Sequence, residues 1–169
     1  MIRTRALCAL ALMAGLAGCV QTGRTADDFD TKPWEAQKDL LPSYPDEENL
    51  IPFYVGPASI FAFSIDRSSV SIGQDGAVRY TLVARSPTAT NVSYEAIRCY
   101  SYQRKVYAFG RPGRTWSPTR NPKWLDIERT QANPQLTLAD DFYCAGSRVR
   151  TPEEAVQALT RRNQPTWLR

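Results

Sequence analysis

Four cysteines, a sparse set of carboxylates and a basic, aromatic-rich stretch are the residues in this 169-residue chain that could carry chemistry, and no histidine accompanies them. Without imidazole, serine-histidine triads, cysteine-histidine dyads and histidine-ligated metals are excluded. A pair of carboxylates needs no histidine: one protonates a leaving oxygen while the other activates water or attacks, as in glycoside hydrolysis. Glu95 and Asp66, on or beside strand-like runs, and Glu48 in the Asp46-Glu47-Glu48-Asn49 cluster are the candidates for such a pair. Solvated or structural acids are the commoner explanation of such residues. No Gly-rich phosphate loop is present, because Ser71 to Gly76 reads as a hairpin turn and Phe109 to Gly113 lacks the lysine and the following helix. No catalytic residue, cofactor or metal site is expected.

The cysteines report on location. Arg3 and Arg5 precede an apolar run, Ala6 to Leu16, which falls short of the roughly 20 residues a membrane-spanning helix needs. Leu16-Ala17-Gly18-Cys19 then resembles the lipobox of bacterial lipoproteins. In that reading residues 1–18 are a signal peptide, Cys19 is the lipidated mature N-terminus, and Cys8 is discarded. Each buried acyl methylene contributes about 0.8 kcal/mol, so several chains on Cys19 anchor the protein to a membrane without a spanning helix. Val20 stands where an aspartate would favour retention in the inner membrane, so the sorting rule attached to the lipobox favours the outer membrane, periplasmic face. Cys99 and Cys144 remain, and in an oxidising compartment they are expected to form a disulfide. Two free buried thiols are the alternative. With Arg3 and Arg5 removed, 19 basic residues face 17 acidic ones, which takes away the main support for a nucleic-acid partner.

Charge distribution says more than net charge. Residues 24–48 hold eight acids and three bases, net −5, whereas residues 98–129 hold eight bases and two acids, net +6. Aromatic rings are interleaved with the basic set, so Arg98, Tyr100, Tyr102, Arg104, Tyr107, Arg111, Trp116 and Trp124 form a candidate surface for an envelope protein or an anionic glycan. The competing reading, favoured by the need of the N-terminal Pro-aromatic segment to pack somewhere, is that the acidic N-terminal part covers the basic surface within one molecule.

The elements that must position these residues are legible in outline. Residues 19–31 are small, polar and acidic, a flexible tether. Residues 32–169 are expected to be a single α+β domain, an antiparallel β-sheet with a C-terminal helix and an extended N-terminal wrap rich in proline and aromatics. The wrap, Lys32 to Pro57, alternates prolines with large apolar residues, and a short helix from Pro33 to Leu41 fits its start. Ser59 to Ile65 and Ser69 to Gly73 read as two strands, and Gln74-Asp75-Gly76 as the tight turn of a hairpin. Val78 to Arg85 alternates as a half-buried strand, and Val92 to Cys99 has apolar residues on both faces, which calls for a bulge near Ala96 or burial on both sides. Val106 to Phe109 is a short strand, Arg111 to Asn133 is loop anchored by Trp116 and Trp124, and Leu136 to Cys144 fits a short helix, with strand as the alternative. Thr151-Pro152-Glu153-Glu154 opens a helix that runs to about Arg162. No internal repeat is visible.

Several of these segments carry an ordered set of motifs: Leu41-Pro42, Tyr44-Pro45, Glu48 to Val55 (Glu-Asn-Leu-Ile-Pro-Phe-Tyr-Val), Arg79 to Val83, Asn91 to Glu95, Ile97-Arg98-Cys99, Tyr107 to Gly110 and Asp141 to Cys144. Together they resemble the cryptic neisserial protein-like (CNP1-like) family of exported proteobacterial proteins, over about Trp34 to Leu159. The resemblance implies one exported domain, often lipidated. It supplies no catalytic residues to carry over.

Overall fold

Alternating runs between Leu50 and Arg111 pair in chain order into one antiparallel sheet: β1 (Leu50–Phe53), β2 (Ala62–Ile72), β3 (Ala77–Arg85), β4 (Thr90–Arg98) and β5 (Gln103–Arg111). The structure, a computed structural model, describes residues 40–146 and 148–162. The signal peptide, Cys19, the tether and residues 33–39 of the expected short helix lie outside them. β5 is bordered by two short strands, β6 (Thr115–Pro118) beside its C-terminal half and β7 (Leu125–Asp126) beside its start. The expected loop between Arg111 and Asn133 therefore contains two strands, too short to show a period of two in the sequence. Pro52 stands in edge strand β1, where a missing N–H discourages pairing with another chain.

Three helical segments follow the turn chemistry. A 3₁₀ turn, Glu47–Asn49, leads into β1. α1 (Pro134–Thr137) has Asn133 as its cap, whose side chain accepts from the N–H groups of Gln135 and Leu136 at 3.0 and 3.3 Å, and it continues into a π-helical turn, Leu138–Tyr143. α2 (Pro152–Arg162) starts as expected at Thr151, whose Oγ1 accepts from the Glu154 N–H at 3.2 Å. Proline in the first turn and two acids beside it favour that start.

The two runs expected as separate strands before the hairpin are one strand, β2, interrupted by an irregularity between Asp66 and Ser71. The sequence looks like two strands because the bulge shifts the alternation. Ser69 repairs the ladder across it: its Oγ accepts from the Thr81 N–H at 2.7 Å and donates to the Asp66 carbonyl at 2.8 Å.

Side chains alternate across the sheet, so each face has its own core. One face receives Ile51, Phe53, Phe63, Ile65, Val78, Tyr80, Leu82 and Ile97, and is covered by Leu138, Phe142 and Tyr143 of the π-turn and by Ala155 and Leu159 of α2. The opposite face carries Ala77, Tyr94, Ala96, Tyr107 and Ala108, with Leu40, Leu41, Trp116 and Trp124 packed over them. β3 is consequently buried on both faces from Ala77 to Val83, not half-buried as its alternation suggests. A polar side chain on a strand's second face looks solvent-facing in sequence, but here residues distant in the chain cover it. β4 is likewise buried on both faces. Of the two features expected for β4, burial on both sides is the one present; at the register shift after Tyr94 the extra residue is Tyr107, so the bulge belongs to the neighbouring strand β5.

Cys99, just past the end of β4, is disulfide-bonded to Cys144 at the end of the π-turn, with Cα atoms 5.4 Å apart. The bond ties the sheet to its helical cover. Its sequence separation of 45 residues corresponds to about 4 kcal/mol of stabilisation on the chain-entropy account. Cys99→Ser should lower stability by about that amount in denaturant titration, and reducing the wild type should have the same effect. Equal stability of oxidised and reduced wild-type protein would refute the assignment.

Candidate functional site

The residue that organises the second face is Arg79. Its neighbours on β3, Val78 and Tyr80, point into the helix-covered core, so Arg79 points the other way, and only 1% of it is exposed. A buried guanidinium needs a carboxylate and hydrogen bonds. Asp75 in the β2–β3 turn provides them four residues earlier: Arg79 Nη1 and Nη2 donate to Oδ1 and Oδ2, both at 3.1 Å. The Asp-Gly turn also holds the carboxylate in place, since Asp75 Oδ1 accepts from the Ala77 N–H at 3.1 Å and Gly76 takes φ +67°. Burial alone would push the Asp75 carboxyl up. The hydrogen bonds from Arg79 and Ala77 and the charges of Arg79 and Arg98 outweigh it and hold the carboxyl below its usual range.

From Arg79 a chain of cations and rings crosses β5 and returns to the same acid. The Arg79 guanidinium lies 5.7 Å from the Tyr107 ring centre, and Lys105 Nζ lies 5.5 Å from Tyr107 and 5.3 Å from Trp124. Arg98 stacks over Trp124 at 3.9 Å, and its Nη2 comes within 3.6 Å of Asp75 Oδ2. The register explains the arrangement, because Arg79 is opposite Ala96 and Ala96 is opposite Lys105, leaving the small alanine between two cations. Tyr100 extends the chain outward, 5.4 Å from Arg98 and 68% exposed. Asp75 thus serves two guanidiniums, and Arg98 is the one beside the exposed ring.

The structure divides the sequence-derived surface set. Arg98, Tyr100, Tyr107 and Trp124 come together, but Tyr107 is only 1% exposed and belongs to the interior. Trp116 lies on the same face, its ring 6.4 Å from Tyr94 and 5.3 Å from Tyr44. Tyr102 and Arg104 belong to the other side: Tyr102 packs against the helix-covered core, and Arg104 pairs in register with Ile97 of that core. Arg111 is exposed at the far end of β5. The set therefore splits by strand parity. Sequence reasoning missed Arg79, Lys105 and Asp75, and the available signal was a charged residue repeatedly placed on a strand whose other face is apolar.

The described part of the N-terminal segment crosses this face. The Pro42 carbonyl accepts from Trp116 Nε1 at 2.8 Å, and Tyr44 rests on Gly110. A Cβ at position 110 would meet Tyr44 Oη at 2.7 Å and Val92 Cβ at 2.8 Å, so only glycine admits that contact. Asp46 then pairs with Arg114, and Glu47 with Arg85 at 2.6 Å. Two of the acids from the negative N-terminal stretch thus meet arginines of the same chain, although only Arg114 belongs to the positive stretch.

Residues 29–160 match the family described as the CNP1-like family. The chain belongs to it. No curated protein and no solved structure matches the chain. Within this CNP1-like domain the candidate acid pair is not assembled. Asp66 shares a face with Thr81 and Tyr94, whereas Glu95 pairs with Tyr80 and faces the helices. Each is occupied structurally: Asp66 Oδ1 accepts from the Ser68 N–H and hydroxyl at 2.9 and 2.7 Å, closing the bulge. Glu95 accepts from Ser93 at 2.5 Å and from Gln135 at 2.8 Å, tying β4 to α1. Glu48 is exposed on the 3₁₀ turn. Among the described residues no group of three or more Cys, Asp or Glu is placed to hold a metal, and no helix is long and apolar enough to cross a membrane.

Removing the Asp75 carboxylate leaves Arg79 buried without its charge partner, a change that destabilises by about 3–5 kcal/mol in comparable pairs. Asp75→Asn should show such a loss at pH 7. A carboxyl whose pKa is lowered on folding contributes stability above its unfolded value, about 3.9, and that contribution is lost as pH falls through the folded value. The gap between wild type and Asp75→Asn should therefore close below about pH 4. A gap that persists unchanged into acid would show that the ion pair is not its source.

Proposed function

We propose that this CNP1-like protein is a lipoprotein anchored through Cys19 to the periplasmic face of the outer membrane, where it acts without catalysis as a binding or envelope-assembly component that holds anionic envelope polymer. The lipobox at Leu16 to Cys19 supports the anchor. The Cys99–Cys144 disulfide is consistent with an oxidising compartment.

The observation that carries the binding role is Arg98. Its guanidinium lies 3.9 Å from the Trp124 ring centre and 5.4 Å from that of the exposed Tyr100, and it shares the Asp75 carboxylate with Arg79. The outward end of the chain is thus a preorganised cation with an aromatic platform beside it. Sugars stack on such rings and acidic groups pair with the guanidinium, which its stacking already holds in place. The rival hydrolase reading needs two carboxylates facing one space, whereas Asp66 and Glu95 face opposite sides of the sheet.

Cys19→Ala should move the protein from the membrane fraction to the soluble fraction, and unchanged fractionation would refute lipid anchoring. For the binding role, Tyr100→Ala and Arg98→Gln should each weaken retention on anionic envelope polysaccharide by about tenfold at about 0.15 M salt, as expected for loss of one charge-assisted or stacking contact. Tyr100 is the cleaner probe because its exposure separates binding from folding. Retention unchanged in a folded Tyr100→Ala protein would overturn this site.

A further inference from the structure

A groove of about 440 Å³ runs between the end of the π-turn and α2, on the side of the molecule away from Arg79. That volume lies within the range of small-molecule sites. Its floor is apolar, formed by Phe142, Val149 and Ala158, and three arginines stand around it, Arg148, Arg150 and Arg161. Local structure aims them there. Residues 154, 157, 158 and 161 occupy one face of α2, and the Val149 N–H donates to the Tyr143 carbonyl at 3.2 Å, which fixes the segment carrying Arg148 and Arg150.

These arginines differ from the others that approach carboxylates. Arg79, Arg85, Arg98, Arg114 and Arg129 each lie within 4.0 Å of a carboxylate oxygen. Arg148, Arg150 and Arg161 form no ion pair with any described residue. The lining also contains Asp141 and Glu154, and one Glu154 oxygen accepts from the Arg150 N–H at 2.7 Å. Three guanidiniums against two carboxylates leave the groove positive over an apolar floor.

We infer that this groove is a second binding site, separate from the Arg98 surface, that takes an amphiphilic anion: a phosphate or carboxylate head held by Arg148, Arg150 and Arg161, with an apolar chain along Phe142, Val149 and Ala158. Guanidiniums match such heads in geometry and stay charged at any physiological pH. A simple inorganic anion would leave the floor in water, and an uncharged hydrocarbon would leave the arginines without a partner. The head comes either from a bilayer lipid or from a monomeric amphiphile, and the chemistry recognised is the same.

The test uses the full chain carrying Cys19→Ala, so that no lipid anchor enters the readout, and dodecyl phosphate as the probe in calorimetry. Saturable binding is expected, weakened about tenfold or more in the Arg148→Gln/Arg150→Gln protein, the loss expected for at least one charge-assisted hydrogen bond. Arg161→Gln serves if the double variant does not fold, and Arg120→Gln, at an exposed arginine outside the groove, should bind as the parent. Inorganic phosphate or neutral dodecyl maltoside binding as tightly as dodecyl phosphate would overturn the proposal, as would unchanged binding by the folded arginine variants. Vesicles of phosphatidylglycerol, compared with phosphatidylcholine, identify the source. Arginine-dependent retention on the anionic vesicles indicates a bilayer lipid, retention of the monomeric probe alone indicates a free amphiphile, and binding of neither overturns the site.

Discussion

Arg79 lies in the middle of the central sheet with its guanidinium out of water, and the carboxylate that accompanies it comes from the turn that begins its own strand. A charge in that position is tolerable only with a fixed partner, because desolvating it alone would cost far more than any one contact returns. The Asp-Gly turn therefore has two duties. Gly76 allows the chain to reverse, and Asp75 arrives already oriented by the Ala77 N–H. The turn that sets the β2–β3 register also sets the charge state of the second face, so register and electrostatics are one constraint. Arg98, Trp124, Lys105 and Tyr107 then close around the pair, and the Tyr107 ring beside Arg79 packs 5.7 Å from that of Tyr94.

The two faces of the sheet use different physics. The helix side is conventional hydrophobic burial reinforced by a disulfide, with Leu138, Tyr143, Ala155 and Leu159 fully buried. Its polar members, Tyr80 and Glu95, meet at 3.4 Å, and burial together with the Glu95 charge raises the Tyr80 phenol well above its ordinary range, so it stays protonated and able to donate. The other side is a polar and aromatic layer in which cations lie over rings. Such contacts contribute about 0.5–2 kcal/mol each depending on desolvation. They are directional, so they specify which ring sits over which cation more sharply than an aliphatic core would.

Much of the fold was legible because it obeys local rules. The Asp-Gly turn, the alternation of Val78 to Arg85, the Thr151-Pro152 helix start and the Cys99–Cys144 pair are each encoded within a few residues or by elimination. What was not legible depends on distant chain segments. β3 reads as half-buried because Arg79 and Thr81 are polar, and only the arrival of Leu40, Leu41, Trp116 and Trp124 on that face removes it from water. The candidate surface follows composition, which cannot see strand parity. Tyr102 and Arg104 alternate away from Lys105, and the Tyr107 bulge then changes the parity for the rest of β5.

That bulge explains why Gly110 stands where it does. With Tyr107 as the extra residue, Ala108 and Gly110 fall on the second face, and Gly110 comes opposite Trp116 in register. The tyrosine that crosses there needs space, and glycine provides it with backbone alone. Without the register shift, the second face at these positions would receive Phe109 and Arg111, both of which would project into the path of Tyr44. The β5 bulge thus serves two layers at once. It places Tyr107 between Arg79 and Lys105, and three residues later, at Gly110, it opens the lane by which residues 42–47 reach Trp116, Arg114 and Arg85. The buried ion pair and the N-terminal crossing are therefore linked through the register of a single strand, and a change that restored regular pairing in β5 would disturb both.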